Sequence, residues 1–366
     1  MKKKIGLVLL AMMVLSATGC SSSKPAETAA PAEQKTEAAA PAETKAEEAA
    51  PAEEVITLKF ADTEVPGMPE YEGNLKFIEL IETNSNGRIK VEYYPNNQLG
   101  GDKEIVAALM AGTVDIGKCA AGNFSDYTDA VLFTDLPGVY KNSAQMRKVW
   151  QTDIRDEITA EIQADTGLVP VMFDCDGGSA RAIFYNGKDI RVPADCKGMK
   201  VRTTGSEVEM ALFEELGIAA TPMAFTELYM ALSQGTIDGI YTNPPGTYSN
   251  KLCEVSEKCT IINLSYITTF KLLSESAIEK LGGEGSELYN IVVEAGAEAE
   301  VYKDELIAKN NEKVEEQIAG VNCTMIKLTD EEQKQWNDAA AKVCEQFIGD
   351  GKLVSQELYD KIMAVE

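Results

Sequence analysis

The sequence predicts an α/β protein with two related lobes and a largely helical end. Three patterns support this prediction. Strand-like and helix-like stretches alternate between residues 56 and 117, a short motif at 108–115 recurs at 231–238, and the apolar spacing beyond residue 270 is helical. Alternation of strand and helix favours a parallel sheet with right-handed crossovers.

The first lobe is predicted element by element. Residues 56–61 and 89–94 alternate like strands, and residues 71–82 place apolar side chains on one face of a helix. A second helix follows Gly100-Gly101-Asp102 and ends at Gly112, and residues 114–117 predict a third strand. The order βαβαβ therefore predicts a parallel sheet in this lobe.

A repeat points to a second lobe of the same kind. Ala108-Leu-Met-Ala-Gly-Thr-Val-Asp115 recurs, 123 residues later, as Ala231-Leu-Ser-Gln-Gly-Thr-Ile-Asp238. Each copy is typical of a helix end, a glycine turn and the start of a strand. Two α/β lobes with a cleft between them are the architecture that the repeat suggests.

Residues 199–248 contain the strongest candidate for a ligand site. A strand is predicted at 199–201, and Arg202 follows it; Ser206 with Glu209 predicts a capping box that opens a helix. An arginine between a strand end and a helix N-terminus is well placed to hold a carboxylate in two parallel hydrogen bonds. The alternative is an ordinary solvated arginine.

The end of the chain is predicted to be helical. Residues 286–318 form one long charged helix, and residues 323–328 form a short strand. Thr329 with Glu332 predicts a second capping box at the start of another amphipathic helix. Helices of this composition suit a segment that spans both lobes.

Composition excludes several classes of function. The 366 residues suffice for two ordinary domains, and the net charge of −25 makes nucleic acid a poor partner. The chain has no histidine, which removes Ser-His-Asp triads and His-ligated metal or haem sites. No nucleophile arrangement, metal spacing or phosphate loop is present, so we expect no catalytic residues, no metal and no cofactor.

The first 54 residues predict export and anchoring. A basic start (Lys2 to Lys4) and an apolar stretch at 5–15 are typical of a signal peptide, and Ala17-Thr18-Gly19-Cys20 resembles a bacterial lipobox. The resemblance implies a lipoprotein signal peptide at 1–19 and a lipidated Cys20. Residues 20–54, rich in Ala, Pro and Glu, predict a disordered tether to a folded domain at 55–366. The alternative is an ordinary signal peptide with a spare cysteine.

Seven cysteines follow Cys20, an odd number without any CxxC spacing. Most are interpreted as small buried apolar residues. Cys253 and Cys259 are the one close pair, and the sequence leaves their pairing open.

Seven motifs, in order and at consistent spacing, carry a family resemblance. They are Gly87-Arg-Ile-Lys-Val, Asn97-Gln-Leu-Gly-Gly, Ala111-Gly-Thr-Val-Asp-Ile-Gly, Asp135-Leu-Pro, Lys197-Gly-Met-Lys-Val-Arg, Thr221-Pro-Met-Ala-Phe-Thr-Glu-Leu-Tyr and Gln234-Gly-Thr-Ile-Asp-Gly. From residue 55 to about 350, the chain resembles the DctP-like solute-binding proteins of tripartite ATP-independent periplasmic (TRAP) transporters.

The resemblance implies a two-lobed Venus-flytrap periplasmic binding protein fold with lobe-spanning C-terminal helices. Lobe 1 is expected at about 55–178 plus a later segment, and lobe 2 at about 179–266 plus a C-terminal segment. The family's main carboxylate-binding arginine falls on Arg202 and a second binding arginine on Arg181. Phe225 matches the phenylalanine that packs on the ligand.

The chain departs from the family at the selective end of the cleft. Tyr241, Thr242 and Asn243 are expected to line it, and Thr242 replaces a frequent ligand-binding asparagine. A hydroxyl cannot make the two-sided hydrogen bonds of an amide, so the polar end of the ligand must be recognised differently. Whether Asn243 substitutes stays open. Asp62 and Leu264 stand where relatives have histidine.

The resulting hypothesis is a lipid-anchored extracytoplasmic protein that captures a small organic acid and delivers it to TRAP membrane permease subunits. A ligand-presenting module for a sensor receptor is one alternative, and an extracellular enzyme is another. The sequence leaves open the carboxylate (dicarboxylate, keto or hydroxy acid, sugar acid or aromatic acid), the coupling ion and the oligomeric state.

Overall fold

The computed structural model describes residues 55–321 and 323–366. The predicted signal peptide, the lipidated Cys20 and the tether lie outside the described residues. Within the described part, the strands are β1 (Ile56–Ala61), β2 (Ile89–Tyr94), β3 (Ile116–Ala120), β4 (Val169–Asp176), β5 (Ala182–Tyr185), β6 (Lys200–Thr203), β7 (Ala219–Pro222), β8 (Gly239–Thr242), β9 (Lys258–Ile261), β10 (Ile267–Leu273) and β11 (Thr324–Ile326).

The α-helices of the same part are α1 (Pro69–Asn84), α2 (Asp102–Met110), α3 (Ala121–Phe124), α4 (Ser143–Val149), α5 (Ile154–Thr166), α6 (Glu207–Glu215), α7 (Leu228–Ser233), α8 (Pro244–Ser249), α9 (Glu275–Lys280), α10 (Glu287–Gly320), α11 (Asp330–Phe347) and α12 (Gln356–Ala364). Short 3₁₀ helices cover Asp129–Asp135, Pro193–Cys196, Phe225–Glu227 and Leu252–Glu254.

The first sheet has the order β2-β1-β3-β10-β4. Strand β1 pairs in parallel with β2 and β3, as the βαβαβ pattern predicts, whereas β10 returns later in the chain and runs antiparallel to β3 and β4. The strands β1 and β2 have the predicted bounds. The third strand begins two residues later than predicted, because the amides of Thr113 and Val114 bond back to the Ala108 carbonyl at the end of α2.

The second sheet has the order β11-β9-β5-β8-β6-β7. Strands β7, β6 and β8 pair in parallel at one side, and β11 pairs in parallel with β9 at the other. Strand β5, between them, runs antiparallel to both β8 and β9. The strands of the first sheet come from residues 56–176 and 267–273, and those of the second from 182–261 and 324–326. The lobe boundaries at 178 and 266 stay a prediction.

The sequence repeat has the same local structure in both lobes. The Asp115 amide donates to the Lys59 carbonyl at 3.0 Å, and its carboxylate accepts from the Lys59 amide at 2.8 Å. Asp238 makes the same two contacts with Lys200, at 2.7 and 2.8 Å. In each lobe, an aspartate therefore joins the turn after a helix to a lysine of the neighbouring strand.

The C-terminal helices connect the lobes. Helix α10 packs on α1 and β4 beside the first sheet and on α8 and β11 beside the second. Its Gly296 meets β4 so closely that an added Cβ would overlap the Val171 carbonyl oxygen. Helix α11 packs on α6, and α12 packs on α5. The capping box of Thr329 and Glu332 at the start of α11 is confirmed.

Buried aromatic and aliphatic side chains hold these layers together. Under the first sheet, Phe60 of β1 meets Phe77 of α1 edge to face, with ring centroids 6.1 Å apart, and Val292 of α10 belongs to the same apolar cluster. Burying a side chain of this size contributes roughly 1.5–3 kcal/mol. The long helix is therefore fixed to the first lobe by its apolar side.

The seven described cysteines are all unpaired: Cys119, Cys175, Cys196, Cys253, Cys259, Cys323 and Cys344. Cys253 and Cys259 form no disulfide. Six of the seven thiols are buried and Cys344 is half-buried. This confirms the interpretation that most of them pack as small apolar residues.

Candidate ligand-binding site

A cavity of about 380 Å³ lies between the two sheets. It is lined by residues at or just after the carboxyl ends of β3 and β4 in one lobe and of β6, β7 and β8 in the other. Ligands of open α/β sheets bind at these strand ends. The six residues predicted for the site all line this cavity: Arg181, Arg202, Phe225, Tyr241, Thr242 and Asn243.

Arg202 is the third residue of β6, so it lies inside the strand and not after it as predicted. Its side chain is 3% exposed, and its Nε donates to the Met223 carbonyl at 2.9 Å. Neither Nη nitrogen has an acceptor among the described residues. Burial, and then the like charge of Arg181, lower the pKa of Arg202 to about 10. Its guanidinium is therefore a desolvated cation without a counter-ion, facing the cavity.

The predicted capping box of Ser206 and Glu209 is wrong. Helix α6 does begin after Ser206, but the Ser206 side chain makes no capping hydrogen bond. The Glu209 carboxylate turns inward instead, accepting from the amide of Thr204 at 2.8 Å and from its hydroxyl at 2.6 Å. The reason is the buried guanidinium of Arg181, which pairs with Glu209.

Arg181 lies at the cavity wall with its charge already neutralised. Its Nη2 donates to the Asp135 carboxylate at 3.1 Å, its Nη1 pairs with Glu209, and the side chain is 1% exposed. Its guanidinium carbon also lies 5.3 Å from the centre of the Tyr241 ring. The structure thus places Arg181 beside the ligand space while two carboxylates hold it. Sequence reasoning missed both partners, although Asp135 belongs to a motif named above.

Phe225 and Tyr241 give the cavity its aromatic surfaces. Phe225 is half-buried, and the Arg202 guanidinium carbon lies 5.8 Å from its ring centre. A cation over an aromatic ring is held by the charge distribution of the ring. Tyr241 is buried, and its hydroxyl bonds to the Ser265 hydroxyl at 2.7 Å.

Thr242 and Asn243 differ in what they can offer to a ligand. The Thr242 hydroxyl has no hydrogen-bond partner among the described residues, although the residue is only 3% exposed. Asn243 uses both ends of its amide within the protein. Its Oδ1 caps α8 by accepting from the Gly246 amide at 2.6 Å, and its Nδ2 donates to the Asp176 carbonyl at the end of β4 at 3.2 Å. Asn243 therefore shapes the wall, and Thr242 keeps a free polar group.

The first lobe contributes charged residues that sequence reasoning missed. Lys118 of β3 forms ion pairs with Glu64 at 3.3 Å and with Asp102 at 3.7 Å, and it donates to the Thr63 hydroxyl at 2.9 Å. All four residues line the cavity. Their positions are the signal that the sequence offers for this part of the site. Thr63 and Glu64 come shortly after β1, Asp102 begins α2, and Lys118 lies within β3.

Two further carboxylates complete this wall. Glu70 is 4% exposed; its Oε1 accepts from the Gly177 amide at 2.9 Å, and its Oε2 has no partner among the described residues. Burial raises the pKa of Glu70 to about 8. Asp176 ends β4 and has no hydrogen bond or ion pair through its carboxylate in the described part, and burial raises its pKa to about 6. We call Glu64, Glu70, Asp102 and Asp176 the acidic wall.

Two other findings bear on the class of protein. Among the described residues, no group of three or more His, Cys, Asp or Glu side chains is placed to hold a metal ion. Within the same residues, no helix has the length and apolarity needed to cross a membrane. Two α/β lobes with a ligand-sized cavity at their facing strand ends define a solute-binding protein.

The family model of the bacterial extracellular solute-binding protein family 7, DctP, matches residues 60–350, and the chain belongs to this family. It is a solute-binding protein of a TRAP transporter, so it binds and delivers a solute and is not an enzyme.

Two relatives show the range of the family. The chain is 29% identical over 293 residues to the C4-dicarboxylate-binding periplasmic protein DctP of Rhodobacter capsulatus, covering 79% of this chain and 86% of the relative. It is 25% identical over 278 residues to the 2,3-diketo-L-gulonate-binding periplasmic protein YiaO of Escherichia coli, covering 75% and 82%.

Solved structures of similar proteins share the fold. A TRAP periplasmic solute-binding protein of Sulfurospirillum deleyianum with bound succinate superimposes with a TM-score of 0.77 at 26% identity, covering 86% of this chain and all (100%) of that one. A second, from Roseobacter denitrificans with bound β-D-glucuronate, gives a TM-score of 0.75 at 26% identity, covering 85% and 100%. The two-lobed fold predicted from the sequence is confirmed.

Proposed function

We propose that this chain captures a small organic acid by its carboxylate in the cavity between the lobes and delivers it to a TRAP membrane permease. The observation that carries the proposal is Arg202. A guanidinium that is 3% exposed and has two unpartnered Nη nitrogens presents the donors that match a carboxylate. Binding an anion there would supply the counter-ion that the folded chain lacks.

The surroundings of Arg202 support an oriented contact. Its Nε is held by the Met223 carbonyl, and its guanidinium faces the Phe225 ring, so the remaining donors have a fixed direction. Phe225 also offers an apolar surface for the carbon chain of the acid. Thr242 adds a free hydroxyl on the same wall.

The relatives support the ligand class. The named C4-dicarboxylate of one relative, and the succinate and glucuronate bound in two solved structures, all carry a carboxylate. Beyond the carboxylate, these ligands differ from one another in size and polarity. Arg202 would provide the carboxylate contact that these ligands share. Neighbours that depart from the family pattern, such as Thr242, would contact the part of the ligand that varies.

Both lobes line the cavity, so an acid held by Arg202 would also contact residues of the other sheet. Contacts that form only when the lobes approach each other favour the closed state. The permease would then recognise a closed, loaded protein.

The anchoring part of the proposal concerns residues 1–54. A lipid on Cys20 and a tether at 20–54 would keep the binding domain outside the cytoplasm and close to the permease. Replacing Cys20 by alanine in the full chain tests this. We expect the parent to partition into detergent with the membrane fraction and the variant to be released; equal partitioning would contradict the anchor.

The ligand proposal is tested by thermal unfolding of residues 21–366 with a panel of organic acids, with neutral sugars as controls. A ligand that binds only the folded state raises the melting temperature. We expect a rise with one group of acids, lost in Arg202→Ala. Arg191→Ala is the matched control, because Arg191 is an exposed arginine of the same lobe paired with Glu332. Shifts that survive Arg202→Ala, or that occur only with neutral sugars, would refute the proposal.

A further inference from the structure

The two walls of the cavity carry opposite charge. On the side of the first sheet, five carboxylates and two lysines line it: Glu64, Glu70, Asp102, Glu104, Asp176, Lys103 and Lys118. On the side of the second sheet, the buried Arg202 presents a cation, and the carboxylate on that side is the exposed Glu227. A ligand that spans the space between them would meet the buried cation at one end and mainly carboxylates at the other.

The lysines of the first-lobe wall are already paired. Lys118 lies between Glu64 and Asp102, and Lys103 pairs with Asp126 at 2.6 Å, away from the cavity. Arg181 is held by Asp135 and Glu209. Among the described residues that line the cavity, Arg202 is thus the cation without a carboxylate partner.

In the acidic wall, in contrast, some carboxylate oxygens have no hydrogen-bond or ion-pair partner among the described residues. The Asp176 carboxylate has no hydrogen bond or ion pair with the described residues, and Oε2 of the buried Glu70 has none either. Carboxylate oxygens accept hydrogen bonds from hydroxyl and ammonium groups. Although Glu70 holds a proton near pH 7, a second carboxylate placed here would still face the charge of Asp176 and those of Glu64 and Asp102, which Lys118 alone offsets.

We propose that the ligand is an acid with a single carboxylate, bound by Arg202, whose other end donates hydrogen bonds to the acidic wall through hydroxyl or ammonium groups. This inference rests on the proposed function and narrows its ligand class. It separates the ligand of this chain from the C4-dicarboxylates named for one relative, because a second carboxylate would meet the acidic wall without an unpaired cation among the described residues that line the cavity.

The test is a binding series in which only the ends of one carbon chain change. Sorbitol, gluconate and glucarate share a six-carbon polyhydroxy skeleton and carry no, one and two carboxylates. 4-Hydroxybutyrate, 4-aminobutyrate and succinate compare one carboxylate with two on four carbons, and the first two distinguish hydroxyl from ammonium as the donor. Dissociation constants are measured by calorimetry on residues 21–366.

We expect the one-carboxylate member to bind at least about 10-fold more tightly than the two-carboxylate member of its set. Succinate or glucarate binding as tightly as its one-carboxylate counterpart, with the binding lost in Arg202→Ala, would overturn the inference and leave the proposed function standing. Sorbitol binding as tightly as gluconate would overturn both. Failure of all the hydroxy and amino acids to bind would also overturn the inference.

A variant tests the acidic wall directly. Asp176→Asn removes one negative charge without breaking an ion pair, so we expect the preference for one carboxylate over two to shrink by at least about 5-fold. Glu254→Gln removes the same charge from an exposed position of the second lobe that does not line the cavity, and should leave the preference unchanged. An unchanged preference in a folded Asp176→Asn protein, or an equal change in both variants, would contradict the role of the wall.

Discussion

Arg181 donates to the Asp135 carboxylate at 3.1 Å across 46 residues of sequence, in a part of the wall where both side chains are buried. Arg202 lines the same cavity and has no carboxylate partner among the described residues. Two buried arginines of one cavity therefore differ in their partners. Arg181 is held by two carboxylates of the folded chain, whereas the Nη nitrogens of Arg202 have no acceptor among the described residues.

The first prediction concerns stability without ligand. Arg181→Met leaves Asp135 and Glu209 buried without their cation, so we expect a loss of about 3 kcal/mol in the free energy of unfolding. Arg202→Met removes an unpaired cation and one hydrogen bond to a carbonyl, so its change should stay within about 1 kcal/mol. Urea unfolding measures both. Equal losses in the two variants would show that the arginines do not differ in this way.

The second prediction concerns the aromatic cover. Phe225→Ala removes the ring that faces the Arg202 guanidinium and part of the apolar surface of the cavity. We expect the affinity for the acid to fall by about 10-fold, which corresponds to about 1.4 kcal/mol. Tyr229→Ala, at an exposed aromatic of α7, is the control and should bind like the parent. Calorimetric titration of an acid that binds the parent decides between these outcomes.

The third prediction concerns pH. The folded state raises the pKa of Glu70 from its ordinary value of 4.5 to about 8, so between these values it holds a proton that the unfolded chain releases. Stability from this group is therefore present at low pH and is lost as pH rises through that window. Glu70→Gln keeps an acceptor for the Gly177 amide and removes the titration.

We expect Glu70→Gln to be more stable than the parent at pH 8 by on the order of 2 kcal/mol, and the difference to vanish near pH 4.5. Chemical unfolding of both proteins across this range measures it. A difference that does not depend on pH would assign the effect to packing and not to the proton.

The fourth prediction concerns the long helix. Gly296→Ala would force α10 away from β4, because the new methyl group overlaps the Val171 carbonyl, and we expect a loss of about 2 kcal/mol. Gly320→Ala in the same helix meets no atom within 4 Å and should be neutral or slightly stabilising. Melting temperatures of the two variants check this; a harmless Gly296→Ala would mean that the contact can relax.

Local patterns predict much of the fold. Apolar and polar residues alternate in β1 and β2, and both strands have the bounds that this alternation predicts. The capping box of Thr329 and Glu332 is also predictable, because it needs only two residues three positions apart. The same local rule fails at Ser206 and Glu209, because a buried guanidinium from another part of the chain competes for the carboxylate.

The site is predictable only in part, for the same physical reason. Arg202 and Phe225 lie in motifs that carry the family resemblance. The acidic wall depends on contacts between distant segments; the hydrogen bond from Gly177 to Glu70, for example, spans 107 residues. No spacing in the sequence indicates that these carboxylates share one cavity, or that Arg181 is already neutralised.

The burial of the native thiols makes the motion of the lobes open to direct observation. A chain that starts after Cys20 and carries Cys344→Ser has six cysteines left, all of them buried away from maleimide dyes. Two new cysteines could then be introduced at the exposed Glu79 of α1 and Lys334 of α11, one on each lobe. Energy transfer between dyes at these two positions would report opening and closing in single molecules as an acid is added.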